Sequence, residues 1–233
     1  LLPPINWVGK SVQSLKPVQI GRFVVRGSHS KVQRNPSLIE LVVDAGAAFG
    51  TAHHATTQGC LLALSNLAPS LTPSRPLDLG CGAGTLAMAI ARLWKVKVIA
   101  GDIDPVAVQV TRRNSAVNGL GTFLSCVISD GFRSPLIRNR APFDLIMANI
   151  LQRPLIVLST SIAQNLVPGG RGAIQAIIIK DELYDRYRTK EDFIQKYIFP
   201  GGFLPSFKSL NKLSHKSGLK IEGYHLYGSH YSN

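Results

Sequence analysis

The chain has 233 residues, 45% of them hydrophobic, and sets 26 Lys and Arg against 13 Asp and Glu for a formal charge of +13. That length suits one α/β domain with an attachment, and the apolar share is enough for a sizeable core. No apolar run nears the ~20 residues of a membrane-spanning helix, and three widely spaced cysteines (Cys60, Cys81, Cys126) point to neither a disulfide framework nor a zinc site.

Residues 1–36 are rich in Pro, Gly and basic side chains, with one strand-like run at Val18–Arg26. Leu38–Val43 reads as a second strand, Gly50–Thr57 as a polar turn, and Thr56–Leu67 as a helix stopped before Pro69. Strands are then predicted at Pro76–Leu79, Val96–Gly101, Phe123–Ile128, Asp144–Ala148 and Arg171–Ile179. Helices are predicted between them at Thr85–Trp94, Pro105–Asn118 and Pro154–Leu166. Pro105 suits the first turn of its helix and Asn118-Gly119 its end. Such alternation implies an α/β fold with a doubly wound, mostly parallel sheet. Beyond residue 180 the pattern changes to a charged helix (Lys180–Lys196), an aromatic turn (Tyr197–Gly202), a basic helix (Pro205–Ser217) and a closing strand (Leu219–Tyr227).

The sharpest signal is Asp78-Leu79-Gly80-Cys81-Gly82-Ala83-Gly84, which runs from a strand through a glycine turn into a helix, with Asp102 at the end of the next strand. Glycines let the backbone turn sharply and approach a ligand, so Gly80 and Gly82 are the expected contacts. Asp102 stands where a nucleoside ribose presents its two hydroxyls. Asp104 is expected to cap the helix that opens at Pro105. Asp130 follows the third strand and suits either a bond to an adenine amino group or a plain Asp-Gly turn. The Asp78–Gly84 turn, Asp102, Asp130 and Asn149 all fall at or after strand ends, the edge where such sheets bind ligands.

The spacing Gly-x-Gly-x-Gly resembles the first motif of class I S-adenosylmethionine-dependent methyltransferases, which have a Rossmann-like fold. Gly50-Thr51-Ala52-His53-His54-Ala55-Thr56-Thr57, the glycine turn, Gly101-Asp102-Ile103-Asp104-Pro105 and Ala148-Asn149-Ile150-Leu151 with Pro154-Leu155 together resemble the bacterial family that methylates large-subunit ribosomal protein L-eleven. The resemblance covers about residues 5–170, with Ala52 in place of a second loop glycine, Gln152-Arg153 where small residues are usual, and no counterpart of the family's N-terminal recognition domain. It implies S-adenosyl-L-methionine as cofactor, with Thr57 and His54 in a loop closing over it. It also implies that Asn149 contacts the cofactor and orients an incoming amine beside the methyl group. For Asn149 a structural place at a strand end is the rival, and for His54 a helix cap.

Residues 168–233 resemble a second family, the cyclopropane-fatty-acyl-phospholipid synthases, through Asp192–Ser206 and Gly228-Ser229-His230-Tyr231. There Tyr231 matches the family, while Gln175 stands where many members have a histidine. Tyr197 and Phe199 read as local core rather than an acyl-chain wall. The chain therefore reads as a β extension over residues 1–50 followed by a Rossmann-like methyltransferase domain over 51–233, whose part from about 180 is a cap of different character.

Methyl transfer from a sulfonium is an in-line displacement that rests on positioning and exclusion of water and needs no metal. The expectation is a cytoplasmic methyltransferase acting on amines of a ribosomal protein, without a secretory signal in Leu1-Leu2-Pro3-Pro4. The rivals are a lipid-modifying synthase and an inactive cofactor-binding remnant. The positive charge suits contact with ribosomal RNA or anionic lipid headgroups as well as a merely solvated surface.

Overall fold

The computed structural model describes residues 16–33, 35–44, 54–174, 178–189 and 204–224. It divides into two compact units, the first taking the chain to Asn149 together with Leu166–Ile174, the second taking Ile150–Asn165 and the residues from Gln175 onward.

The first unit opens with a three-stranded sheet of β1 (Val18–Ile20), β2 (Phe23–Arg26) and β3 (Ile39–Val42), in that order. The single strand expected over Val18–Arg26 is two strands, because Gly21 takes φ +53° and turns the chain back so that Ile20 pairs with Phe23. β3 then lies parallel to β2.

The main sheet has five strands: β4 (Pro76–Leu79), β5 (Val98–Asp102), β6 (Leu124–Ile128), β7 (Phe143–Ala148) and β8 (Leu166–Ile174). Their order is β6-β5-β4-β7-β8 and every neighbouring pair is parallel. The central strand β4 is buried at all four residues, as a strand covered on both faces must be. Among the described residues of this unit are the helices α1 (Ala55–Leu67), α2 (Thr85–Trp94), α3 (Pro105–Val117) and α4 (Pro135–Arg140). Every residue of α2 from Thr85 to Ala91 is buried, and Ala87, Met88 and Ile90 join Leu145, Met147, Leu61, Leu64, Phe23 and Leu41 in one core.

Two asparagines of α3 and its C-cap tie β3 to this core. Asn118 accepts from the Val42 amide at 2.9 Å and donates to the Val42 carbonyl at 2.7 Å. Asn114 does the same with Asp44, at 3.2 Å in both directions.

The sheet edge departs from expectation, and one helix is unexpected. β8 starts at Leu166, not Arg171, and the register slips between Phe143 and Leu145 of β7. That irregularity absorbs Pro168-Gly169-Gly170, and an edge strand tolerates proline because the amide it lacks need not pair. The six-residue helix α4 is not foreseen at all, since Pro135 marks its first turn but six residues are too few to show a helical period.

The second unit contains α5 (Gln152–Gln164), α6 (Asp181–Thr189) and α7 (Phe207–Lys216). Ile179 and Ser206 form an isolated parallel bridge. Ser206 and Ser209 form a reciprocal capping box at the start of α7. The Asp181 carboxylate accepts from the Lys208 amide at 3.0 Å. Hydrogen bonds from the Ser206 hydroxyl and that amide hold the Asp181 carboxyl below its ordinary range.

The strand expected over Leu219–Tyr227 is absent from residues 219–224. The Tyr224 ring instead packs on Phe207 at 4.6 Å, which draws this segment onto α7 rather than into a ladder. Residues 225–227, the Tyr197–Gly202 turn and the end of the Lys180–Lys196 helix lie outside the described residues. Among those described, no helix is long and apolar enough to cross a membrane.

Candidate active site

From β4 the chain steps outward through β5 to β6, then returns to the other side of β4 as β7 and β8. The direction of winding therefore reverses between β4 and β7, and the loops leaving their carboxyl ends diverge. A crevice at this edge follows from topology alone. It is lined by Thr57, Gly80, Cys81, Gly82, Thr85, Leu86 and Asn149, with a volume of about 270 Å³ counting the solvent at its mouth.

The floor is the turn after β4, whose alternate residues Gly80, Gly82 and Gly84 take φ values of +75°, +53° and +82°. Side chains with a Cβ resist this left-handed region, which explains the spacing of the motif. The turn is anchored to β5: the Gly80 and Cys81 amides donate to the Gly101 carbonyl at 2.7 and 3.1 Å. Asp102, half-buried, accepts from the Gly82 amide at 2.8 Å through Oδ2 and from the Asp104 amide at 3.0 Å through Oδ1. Asp104 caps α3 as expected, accepting from the Val106 amide at 2.8 Å.

Beneath the turn lies Asp78, only 1% exposed. Its Oδ2 accepts from the Ala87 amide in the first turn of α2 at 2.9 Å, while Oδ1 is buried with no hydrogen-bond partner among the described residues. Burial pushes this carboxyl up to about 7; the Ala87 bond works against the rise and the nearby Asp102 charge adds to it.

On the β7 side, the Asn149 side-chain amide donates to Thr57 Oγ1 at 3.4 Å. Thr57 is on the first turn of α1 and nearly inaccessible, so α1 and β7 meet at the crevice through this pair. His54 is the N-cap of α1, its ring accepting from the Thr56 amide and lying 2.7 Å from Thr56 Oγ1.

The structure thus brings Thr57, Gly80, Gly82 and Asn149 into one crevice and hangs Asp102 from its floor. It does not bring Asp130 there. That side chain is exposed and takes Arg133 Nη1 at 2.6 Å. Residues 50–53, Gln175, Tyr197, Phe199 and Tyr231 lie outside the described residues.

Cys81, Thr85 and Leu86 line the crevice without having been singled out, although each sits within or directly after the glycine motif. Burial raises the Cys81 thiol far above its ordinary range, with the Asp78 charge adding to it, so it stays protonated and takes no nucleophilic part. Ile103, directly after Asp102, is 67% exposed, an apolar side chain left at the site's edge.

A parallel sheet of this order, with a glycine turn at its switch, defines the class: a Rossmann-like methyltransferase fold of the class I type. A crystal structure of a ribosomal protein L11 methylase from Lactobacillus delbrueckii subsp. bulgaricus shares this fold, with a TM-score of 0.64 over 89% of this chain and 90% of that one, at 22% identity. The family model "Ribosomal protein L11 methyltransferase (PrmA)" matches residues 2–195. A ribosomal protein L11 methyltransferase of Brucella suis is 42% identical over 87% of this chain and 72% of its own length. Its counterpart from a Chelativorans species is 46% identical over 76% of this chain and 61% of its own. The chain belongs to the ribosomal protein L11 methyltransferase family. The synthase-like segment falls largely on residues 190–203 and 225–233, outside those described, and these matches lend it no support.

Proposed function

We propose that the chain transfers methyl groups from S-adenosylmethionine to amines of a ribosomal protein of the L11 type. The observation that carries this reading is the convergence of the glycine turn and the Asn149–Thr57 pair on one crevice at the switch of the sheet. The donor set fits the cofactor. Gly80 and Gly82 allow close backbone approach, and the Asp102 carboxylate suits ribose hydroxyls. When bound, S-adenosylmethionine supplies an electrophilic methyl group on sulfur.

The chain's own residues position the acceptor. Thr57 Oγ1 takes the Asn149 amide hydrogen, which turns the Asn149 carbonyl oxygen the other way. That oxygen accepts an N–H of the incoming neutral amine and aims its lone pair for in-line attack. With the donor held by the Gly80–Gly84 turn and Asp102, its methyl group would pass to that amine, the C–S bonding pair would stay with sulfur, and the methylated amine would release its proton to solvent. Leu86 and the buried wall around Thr57 keep water from competing.

This reading places a β extension at about residues 1–50 and the catalytic domain at 51–233, with Asp130 at most on the outer rim. It does without the ribosomal RNA and anionic-lipid contacts suggested by the charge, for which the relatives give no support. The protein substrate sets the compartment, and a cytoplasmic enzyme follows from it.

Two substitutions test the assignment. Asp102→Ala is expected to weaken S-adenosylmethionine binding by more than about 1 kcal/mol, the scale of a hydrogen bond to a charged group; an unchanged dissociation constant by calorimetry would sink the ribose contact. Asn149→Ala is expected to lower kcat roughly 100-fold, because misplacing the acceptor costs rate, and to weaken donor binding as well, because the same side chain lines the donor crevice. Undiminished turnover by that variant would leave Asn149 a structural strand-end residue.

A further inference from the structure

The glycine turn is held from behind by α3, through two residues that have no part in the reading above. Thr111 is fully buried. Its hydroxyl donates to the Gly82 carbonyl at 2.8 Å and stands 3.4 Å from Cys81 Sγ. Its side chain also occupies the space behind Gly84, where an added Cβ would stand 2.7 Å from Thr111 Cγ2.

One helical turn on, Asn114 is 2% exposed. Its amide donates to the Ala83 carbonyl at 2.8 Å while exchanging bonds with the Asp44 backbone after β3. Two successive carbonyls of the turn therefore face α3.

A trans peptide is planar, so a carbonyl and the amide hydrogen that follows it point in opposite directions. Thr111 thereby fixes the Ala83 N–H, and Asn114 fixes the Gly84 N–H, which closes onto the Cys81 carbonyl at 2.8 Å. The need for such a brace is physical. Three left-handed glycines make the most permissive backbone available, and a turn that must order itself around a ligand loses binding energy to do so. An apolar side chain at either position would fill the same space. A buried polar pair costs desolvation, and what it gains is one defined arrangement.

We infer that Thr111 and Asn114 are positioning residues for the methyl donor, holding the glycine turn in the shape that binds it. The inference rests on the proposed reading that this turn takes S-adenosylmethionine. The end of β3 shares in the brace through Asp44, so the β extension belongs to the support of the site.

The test is calorimetric titration of the chain with S-adenosylmethionine, paired with thermal melts of each variant. Thr111→Val keeps the shape and removes the hydroxyl, and it is expected to raise the dissociation constant about tenfold. Thr111→Ser keeps the hydroxyl and drops the methyl; affinity should stay within about twofold of the parent even as the melting temperature falls. Asn114→Ser withdraws the amide from the Ala83 carbonyl and should weaken binding like Thr111→Val, which keeps the question open to refutation should the valine variant not fold. Affinity that stays within twofold in the valine and Asn114 variants while melting temperatures drop would show a purely structural role and overturn the inference. A parent chain that binds no S-adenosylmethionine would instead defeat the cofactor reading.

Discussion

Gly84→Ala is expected to cost about 2–5 kcal/mol of folding stability, a large part of what a domain of this size has. Two costs add. Gly84 sits at φ +82°, where an L side chain is disfavoured by roughly 1–2 kcal/mol. The new Cβ would also stand 2.7 Å from Thr111 Cγ2 and 3.0 Å from its Oγ1. Thr111 has nowhere to retreat, being fully buried with its hydroxyl committed to the Gly82 carbonyl. Overpacking of this kind costs about 1–3 kcal/mol. The denaturant midpoint should fall without a change in slope, and adding Thr111→Ser, which removes the clashing methyl, should recover part of the loss. A Gly84→Ala variant within about 0.5 kcal/mol of the parent, the range of an ordinary surface change, would mean that the turn and α3 are not packed as described.

Asp78 should make the protein's stability fall as pH rises from about 4 to about 7. Its carboxyl is wholly buried with one oxygen unpartnered among the described residues, and burial lifts it from 3.8 to about 7. Because the folded value is raised, the stabilising contribution is fully present below the unfolded value and is lost as pH rises through the folded one. At 1.36 kcal/mol per unit, the window from about pH 4 to pH 7 spans roughly 4 kcal/mol. Asp78→Asn has nearly the same shape, still accepts from the Ala87 amide and does not titrate. The difference in unfolding free energy between the asparagine variant and the parent should therefore swing toward the variant by roughly that amount from pH 4 to pH 8. Cys60 and Cys81 also face Asp78, but burial holds both thiols far above this window, Cys60 at about 12, so they do not blur it. Parallel pH profiles for the two proteins would contradict this reading of the site.

Both predictions concern the glycine motif, and that motif is also where the sequence is most readable. The ends of β4 and α2 fall where the residues indicate, because a buried strand, three glycines and an alanine-rich helix leave little choice of conformation. The cap at Asp104 is legible for the same local reason. What is not legible depends on partners distant in the chain. Nothing near Thr111 or Asn114 reveals that they grip Gly82 and Ala83, about thirty residues away. Asp78 looks like one more motif residue until its unpaired oxygen is seen.

Asp130 shows the converse. Its place after a strand resembles that of Asp102, but Arg133 three residues on provides a local partner, and the carboxylate takes it. Pro168-Gly169-Gly170 carries the strongest turn signal of its region, yet an edge strand can hold it by slipping register against β7. Turn chemistry alone does not separate a loop from a bulged edge.

The proposed methyl transfer is tested most directly by offering this chain methyl-labelled S-adenosylmethionine together with ribosomal protein L11 and vesicles of unsaturated phospholipid, then measuring the label in each fraction. Label on amines of the ribosomal protein, lost in Asn149→Ala, is the expected result. Label in the lipid, or none in either fraction from protein shown by calorimetry to bind the donor, would contradict it.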